Sequence, residues 1–233
     1  MTTIPVSPPR EERIVEPIAG RETWRRVLLA CGILSAVWYA GMTIFVATQW
    51  KGYSSASQVI SELSAVDAPT RRLWVLLGIP YTILALGFGW GVWVSAGHNR
   101  ALKFVGASLL ASAILGLGWP FAPMHLREIV AAGGATLSDT MHIVLGGVTV
   151  MLMLLAIGFG AAAFGPRFRV YSIVSVVTVL IFGVLTFLEA PNLGANRPTP
   201  WIGTWERINI GISMLWNAVL ALRLLRAPER HSG

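Results

Sequence analysis

The sequence predicts an all-α integral membrane protein, a bundle of six transmembrane helices with both termini in the cytoplasm. Three observations predict it. Of the 233 residues, 55% are hydrophobic and only 12% are charged, whereas soluble domains carry about 25% charged residues. The apolar stretches run to about 20 residues, the length that crosses a hydrocarbon core of about 30 Å. The charges that do occur gather between those stretches and do not form the shell a soluble domain needs.

The spans fall at about 26–48, 73–95, 101–122, 140–163, 169–188 and 205–225, forming one membrane domain over 26–226. Residues 1–25 and 227–233 are cytoplasmic tails, the first polar, rich in Pro and Glu and disordered by composition. The run after Arg25 and Arg26 is too long for a signal-peptide core and lacks a small-residue cleavage site. It is expected to stay as a helix.

Lys and Arg set the orientation. Twelve lie on one side: five in the N-terminal tail, then Arg100, Lys103, Arg167, Arg169, Arg223, Arg226 and Arg230. The other side holds Lys51, Arg71, Arg72, Arg127 and Arg197. The basic side is cytoplasmic by the positive-inside rule. The cytoplasmic loops are tight, whereas the three outer loops run about 15 to 24 residues, longer than most helix connections. Trp50, Trp74, Trp119, Trp201 and Trp205 fall near the outer interface, as aromatic belts do.

The formal net charge of +7 does not point to nucleic acid, because the basic residues sit at membrane boundaries. Cys31 stands alone within the first span, which excludes a disulfide framework and a cysteine metal motif. Sixteen arginines against two lysines, with abundant Ala and Gly, suggest a GC-rich bacterial genome and hence a bacterial plasma membrane. Glycines in the spans suit close helix packing.

The polar residues of interest lie at the outer face. In the first outer loop, Ser55 and Gln58 have capping-box spacing, and Ala56, Val59, Ile60 and Leu63 then share one helical face. A short interfacial helix is expected there, with Gln58 and Glu62 on its other face. In the second loop, Asp139 and His142 share a helix face. His142 falls in a first helical turn, where the dipole favours the neutral imidazole of a general base or metal ligand. In the third, Glu189 ends the fifth span, where the dipole disfavours an anion, and calls for a proton or a cation, Arg197 or Arg207. Glu206 and Asn209 form a stripe on the sixth span, and groups so near the hydrocarbon should face the bundle.

Several of these segments resemble a family of membrane proteins known as domain of unknown function 998. They are Ser57-Gln-Val-Ile-Ser-Glu-Leu-Ser64, Trp119-Pro-Phe before a helix that opens at His142, and Glu206-Arg207 opening a last helix that ends Ala221-Leu-Arg-Leu-Leu-Arg226. The resemblance covers roughly residues 26 to 226. It implies the six-helix layout and no catalytic role. Members often carry a Phe-Pro segment after the third helix; here the chain reads Phe121-Ala-Pro-Met-His125, which makes His125 a weaker candidate than His142.

Two functions are expected from this outer cluster. The first is binding of a lipid or amphiphile at the outer leaflet, with Arg71, Arg72, Gln58, Glu189, Arg197 and Asn209 as ligand contacts. The alternative is a membrane-embedded hydrolase or transferase for a lipid-linked substrate. There His142 acts as base, Asp139 orients it, Arg207 holds an anion, and Glu206 and Glu62 are further acids. Zinc held by His125 and His142 is a sub-case. No His-Glu-x-x-His or Gly-x-Ser-x-Gly motif supports an enzyme. A third reading is structural: the charges pin loops through buried pairs such as Glu189 with Arg207.

Overall fold

In hydrocarbon every backbone N–H and C=O must be bonded within the chain, so long runs of Leu, Val, Ile and Ala can only be helices. A computed structural model describes residues 12–227, with side chains from residue 20 onward. The terminal segments 1–11 and 228–233, with Arg10 and Arg230, lie outside the described residues.

The helices are α1 (Glu12–Thr48), α2 (Arg71–Ser95), α3 (Arg100–Gly116), the single turn α4 (Arg127–Ile129), α5 (Leu137–Ala163), α6 (Pro166–Gly194) and α7 (Ile202–Arg226). Short 3-10 turns cover Ile60–Ser64 and Trp119–Phe121, and a π turn covers Val130–Gly134. No strand forms among the described residues; one isolated parallel bridge joins Val66 and His125. Six of the helices are long and apolar enough to cross a membrane. The chain is a multi-pass membrane protein.

Two boundaries differ from the sequence expectation. Helix α1 starts at Glu12, not near residue 26, so much of the N-terminal tail expected to be disordered is helical. Its polar stretch is rich in helix-forming Glu and Arg, and Glu22 pairs with Arg25 one turn later at 2.7 Å. Helix α6 continues to Gly194, through Pro191, where the sequence suggested an end near 188. Proline removes one donor, to the carbonyl of Phe187, and the flanking turns hold through Ala195 N–H on Pro191 O at 3.0 Å.

The spans form a closed ring in chain order, each packed on its neighbours and α7 packed back on α1. Six spans bring the start of α1 and the end of α7 to the same end of the ring. The long loops meet at the opposite end and form a cap. Below the cap, the ring is filled by apolar side chains, with Leu29, Val105, Ala156, Ile157, Trp216 and Leu220 all fully buried. The Trp216 indole N–H donates to Ser172 Oγ at 3.0 Å, and Asn209 donates to Val179 O at 2.6 Å, so α7 is pinned twice to α6. Hydroxyls within the spans mostly bond the carbonyl one turn back, as Thr43 does with Tyr39 O at 2.7 Å. Pro80 removes a donor within α2, and Trp38 of α1 donates to the nearby Leu77 carbonyl at 2.8 Å.

Glycines allow the closest helix approaches. A Cβ at Gly91 would lie 2.8 Å from Leu28 Cβ and 2.9 Å from its backbone carbon, and one at Gly106 would lie 2.7 Å from the Trp93 nitrogen. Backbone atoms cannot move aside as a flexible side chain can. Gly91→Ala and Gly106→Ala are therefore expected to destabilise the bundle by about 1–3 kcal/mol through overpacking. Gly147→Ala, with nothing within 4 Å, should leave it unchanged. Thermal unfolding in detergent, followed by tryptophan fluorescence, checks all three.

Candidate functional site at the cap

The first loop leaves α1 through Gly52, whose φ of 91° is left-handed, and reaches the 3-10 turn through a series of tight turns. The expected α-helix opened by Ser55 is not formed. Gln58 Oε1 instead accepts from Ser54 N–H at 2.9 Å, and only Ile60–Ser64 winds, as a 3-10 turn. Glu62 folds back to accept from Val59 N–H at 2.9 Å. This tighter turn directs Glu62 inward, where its residue is 1% exposed.

An isolated carboxylate in such a place would cost several kcal/mol. Arg127, from α4 of the second loop, meets it with a two-pronged fork. Nε donates to Oε1 and Nη2 to Oε2, both at 2.9 Å. The remaining arginine donors reach Thr199 Oγ1 of the third loop at 3.0 Å and the Ser57 carbonyl at 3.2 Å. Thr199, 2% exposed, in turn donates to Ser57 O at 2.9 Å. One buried pair thus holds all three loops.

A second junction ties the first loop to α7. Gly203 and Thr204 N–H both donate to Ala56 O, at 2.9 and 3.1 Å. The approach is so close that any Cβ at Gly203 would collide with the carbonyl oxygens of Gln58 and Ser55. Arg207 Nη1 donates to the carbonyls of Ser55, Gln58 and Gly203, at 2.7, 3.0 and 3.0 Å, and Nη2 donates to Tyr53 OH at 2.8 Å. Burial pushes the Tyr53 phenol up to about 12 against the opposing pull of Arg207. It therefore keeps its proton and donates to Val59 O at 2.8 Å. Glu206 accepts from Ile60 N–H.

The second loop is fastened by Asp139, but to a different histidine than expected. Asp139 closes a capping box with Thr136 at the start of α5. It also accepts from His125 N–H at 2.7 Å, and lies 2.9 Å from His125 Nδ1. His142 instead places Nδ1 2.9 Å from the Ala122 carbonyl and packs edge-on against Trp119. His125, the weaker candidate by sequence, is the ring that Asp139 holds, because the chain after α3 folds back over the end of α5. Arg71 joins this loop to the first, donating to Ser64 O at 2.7 Å and to Pro120 O at 3.1 Å.

The other expected contacts do not converge. Glu189 accepts from Asn192 at 2.9 Å and meets neither Arg197 nor Arg207. The extra turns of α6 supply that local partner. Asn209 serves the α6–α7 contact. Arg72 and Arg197 are exposed at the surface. No group of three or more His, Cys, Asp or Glu side chains able to hold a metal occurs among the described residues, so His125 and His142 gain no companion ligands for zinc. Arg71 and Arg207, expected to hold a ligand anion, have their donors on backbone carbonyls and Tyr53.

Two hollows adjoin the clasp. One, of about 400 Å³, is lined by polar groups of Lys51, Ser54, Ser57, Gln58, Arg127 and Glu128, with Trp50 and Gly52. The other, of about 420 Å³, follows the end of α1 along Ile44, Ala47, Thr48, Trp50, Tyr53 and Ser55. Trp50 stands between them and belongs to both. In the sequence Arg127 bears only on topology, and Thr199, Tyr53 and Gly203 carry no signal of their roles. Arg127 had one signal, a lone cation on the side that the positive-inside rule depletes.

Residues 33–223 match the model of a family described as "Protein of unknown function (DUF998)". The chain belongs to that family. No curated protein and no solved structure matches the chain.

Removing one partner of a buried ion pair strands the other. Glu62→Ala and Arg127→Ala are each expected to cost about 3–5 kcal/mol. The double variant should cost far less than the sum, because both act on one contact. A double-mutant cycle read by thermal unfolding measures that coupling; additive costs would mean the pair does not act as a unit.

Proposed function

We propose that this member of the family binds a lipid or other amphiphile at the outer leaflet of a bacterial plasma membrane. In this reading the cap faces outward and both termini lie in the cytoplasm, an orientation that the distribution of Lys and Arg supports. The observation that carries it is the pair of hollows sharing Trp50. An amphiphile needs a polar recess beside a surface that carries apolar side chains. The first hollow offers Lys51, Gln58 and Glu128 to a headgroup; the second, of mixed lining, offers Ala47 and Ile44, the latter 69% exposed on α1. The Trp50 indole, apolar with a polar edge, suits the boundary between them.

The clasp supports this reading through rigidity. Binding is favoured when the receiving surface is already in place, and the walls here are held by Glu62, Arg127 and Thr199. The enzymatic alternative has one observation in its favour: His142 uses Nδ1 on Ala122 O, which leaves Nε2 as an acceptor. Among the described residues no acid or cation is hydrogen-bonded to that nitrogen: Asp139 is bonded to His125 and Arg207 to the first loop.

The protein purified in mild detergent should retain lipid visible in native mass spectrometry. Trp50→Ala combined with Lys51→Glu is expected to lower the retained fraction about tenfold, a loss of about 1.4 kcal/mol. Retention equal to that of the unaltered protein, with unchanged thermal stability, would contradict the groove.

A further inference from the structure

The first hollow, of about 400 Å³, has three charged side chains in its wall, Lys51, Arg127 and Glu128. Lys51 lies in the turn after α1, on the first loop, and Arg127 and Glu128 open α4, on the second. Their charges are not equally available. Arg127 is neutralised by the Glu62 fork, and its other donors go to Thr199 Oγ1 and Ser57 O. Lys51 and Glu128 are both exposed. Although they line one hollow, they make no ion pair with each other or with any other described residue. The free charge of the hollow is therefore one ammonium and one carboxylate, held apart on two loops whose positions the clasp fixes.

Opposite charges that face one cavity without meeting suit a ligand that carries both signs. A wholly anionic headgroup would gain Lys51 and be repelled by Glu128, and a wholly cationic one would meet the reverse. The uncharged donors belong to the same loop as Lys51. Gln58 Nε2 makes only a long contact of 3.5 Å with Glu62. Ser54 Oγ accepts from Ser57 N–H at 3.4 Å, which leaves its hydroxyl hydrogen to donate. Phosphate oxygens take a cation together with donors of this kind. The arrangement also has a direction. Lys51 is bonded to Trp50, which borders both hollows, whereas Glu128 stands across on α4. In a phospholipid the phosphate lies next to the acyl-bearing glycerol and the ammonium lies beyond it. An acyl chain laid along Ile44 and Ala47 would bring the phosphate to Lys51 and the ammonium to Glu128.

We infer that the first hollow takes a zwitterionic headgroup, with its phosphate on Lys51, Ser54 and Gln58 and its ammonium on Glu128; this rests on the reading of the two hollows as an amphiphile site. The chemistry has two sources, a primary ammonium as in phosphatidylethanolamine and a quaternary one as in phosphatidylcholine.

Native mass spectrometry tests this on the full chain, in mild detergent with equal parts of phosphatidylethanolamine, phosphatidylcholine and phosphatidylglycerol. The arginines at the other end of the spans also attract anionic lipid. They are the same in every variant, so the quantity compared is the change in retained lipid between variants. Glu128→Gln is expected to lower the ratio of zwitterionic lipid to phosphatidylglycerol about threefold, a modest factor because the pair it breaks is exposed. Lys51→Gln should lower retention of all three lipids by a similar factor, since all three carry the phosphate. Neither side chain supports the fold, so the unfolding temperature should not move. A larger loss of the ethanolamine lipid in Glu128→Gln points to N–H donation into the carboxylate, and a larger loss of the choline lipid to help from the Trp50 ring face. If Lys51→Gln lowers retention while Glu128→Gln leaves the ratio unmoved, the zwitterionic assignment is overturned and the amphiphile site stands. If neither variant changes the retention of any lipid, both are overturned.

Discussion

The cost of placing Glu62 out of water governs the cap. A carboxylate so deeply buried is tolerated only when its lone pairs are filled, and here they are filled by the Arg127 fork, Val59 N–H and a long contact of 3.5 Å from Gln58. Arg127 can deliver that fork only if α4 sits over the first loop. Its remaining donors in turn need Ser57 and Thr199 in place. Three loops distant in sequence are therefore committed to one geometry by a single charge. A pair of this kind adds little net stability over an apolar substitute, but its absence on one side is severe. Its contribution is to specify one arrangement of loops that also share a small apolar cluster of Val59, Ala65, Ala68, Met124 and Ile202.

The rest of the cap builds outward from that fixed point. With the first loop held, its carbonyls at Ser55 and Gln58 stand where Arg207 can reach them, and Gly203 admits the backbone of the loop without a clash. Arg71 and Asp139 then fasten the second loop at its other end. Below, the ring of helices needs little polar help; glycine approaches and Trp216 fill it by packing. The spans are thus held mainly by packing, and the cap by directional hydrogen bonds around a small apolar cluster of its own. The two hollows that share Trp50 lie on their boundary.

The spans were legible in the sequence because continuous apolar runs of about 20 residues suit membrane helices, whereas barrel strands are about half as long and alternate in polarity. Glu62, Gln58 and Asp139 were legible as polar groups gathered at one end. What each would touch was not. Asp139 and His142 are three residues apart, a spacing that suggests a pair, yet a loop returning from α3 gives Asp139 a nearer partner in His125. Glu189 needed a cation only if α6 stopped beside it, and the helix runs on past Pro191. Arg127 was hidden because its partner lies 65 residues away. Contacts made by the closing of loops depend on tertiary paths that local periodicity does not encode. The groove was hidden for the same reason, since its walls come from α1 and from two loops.

The amide hydrogens of the cap test this account most directly. Val59 N–H bonds Glu62, Ile60 N–H bonds Glu206, Gly203 N–H bonds Ala56 O and His125 N–H bonds Asp139. The measurement is hydrogen exchange of the unaltered protein in lipid nanodiscs, resolved to the peptides that carry these amides. If one buried pair locks the loops, all four should exchange as slowly as amides within the spans, and should open together. Rapid exchange at Val59 and Ile60, on the timescale of the exposed stretch 131–136, would contradict the account.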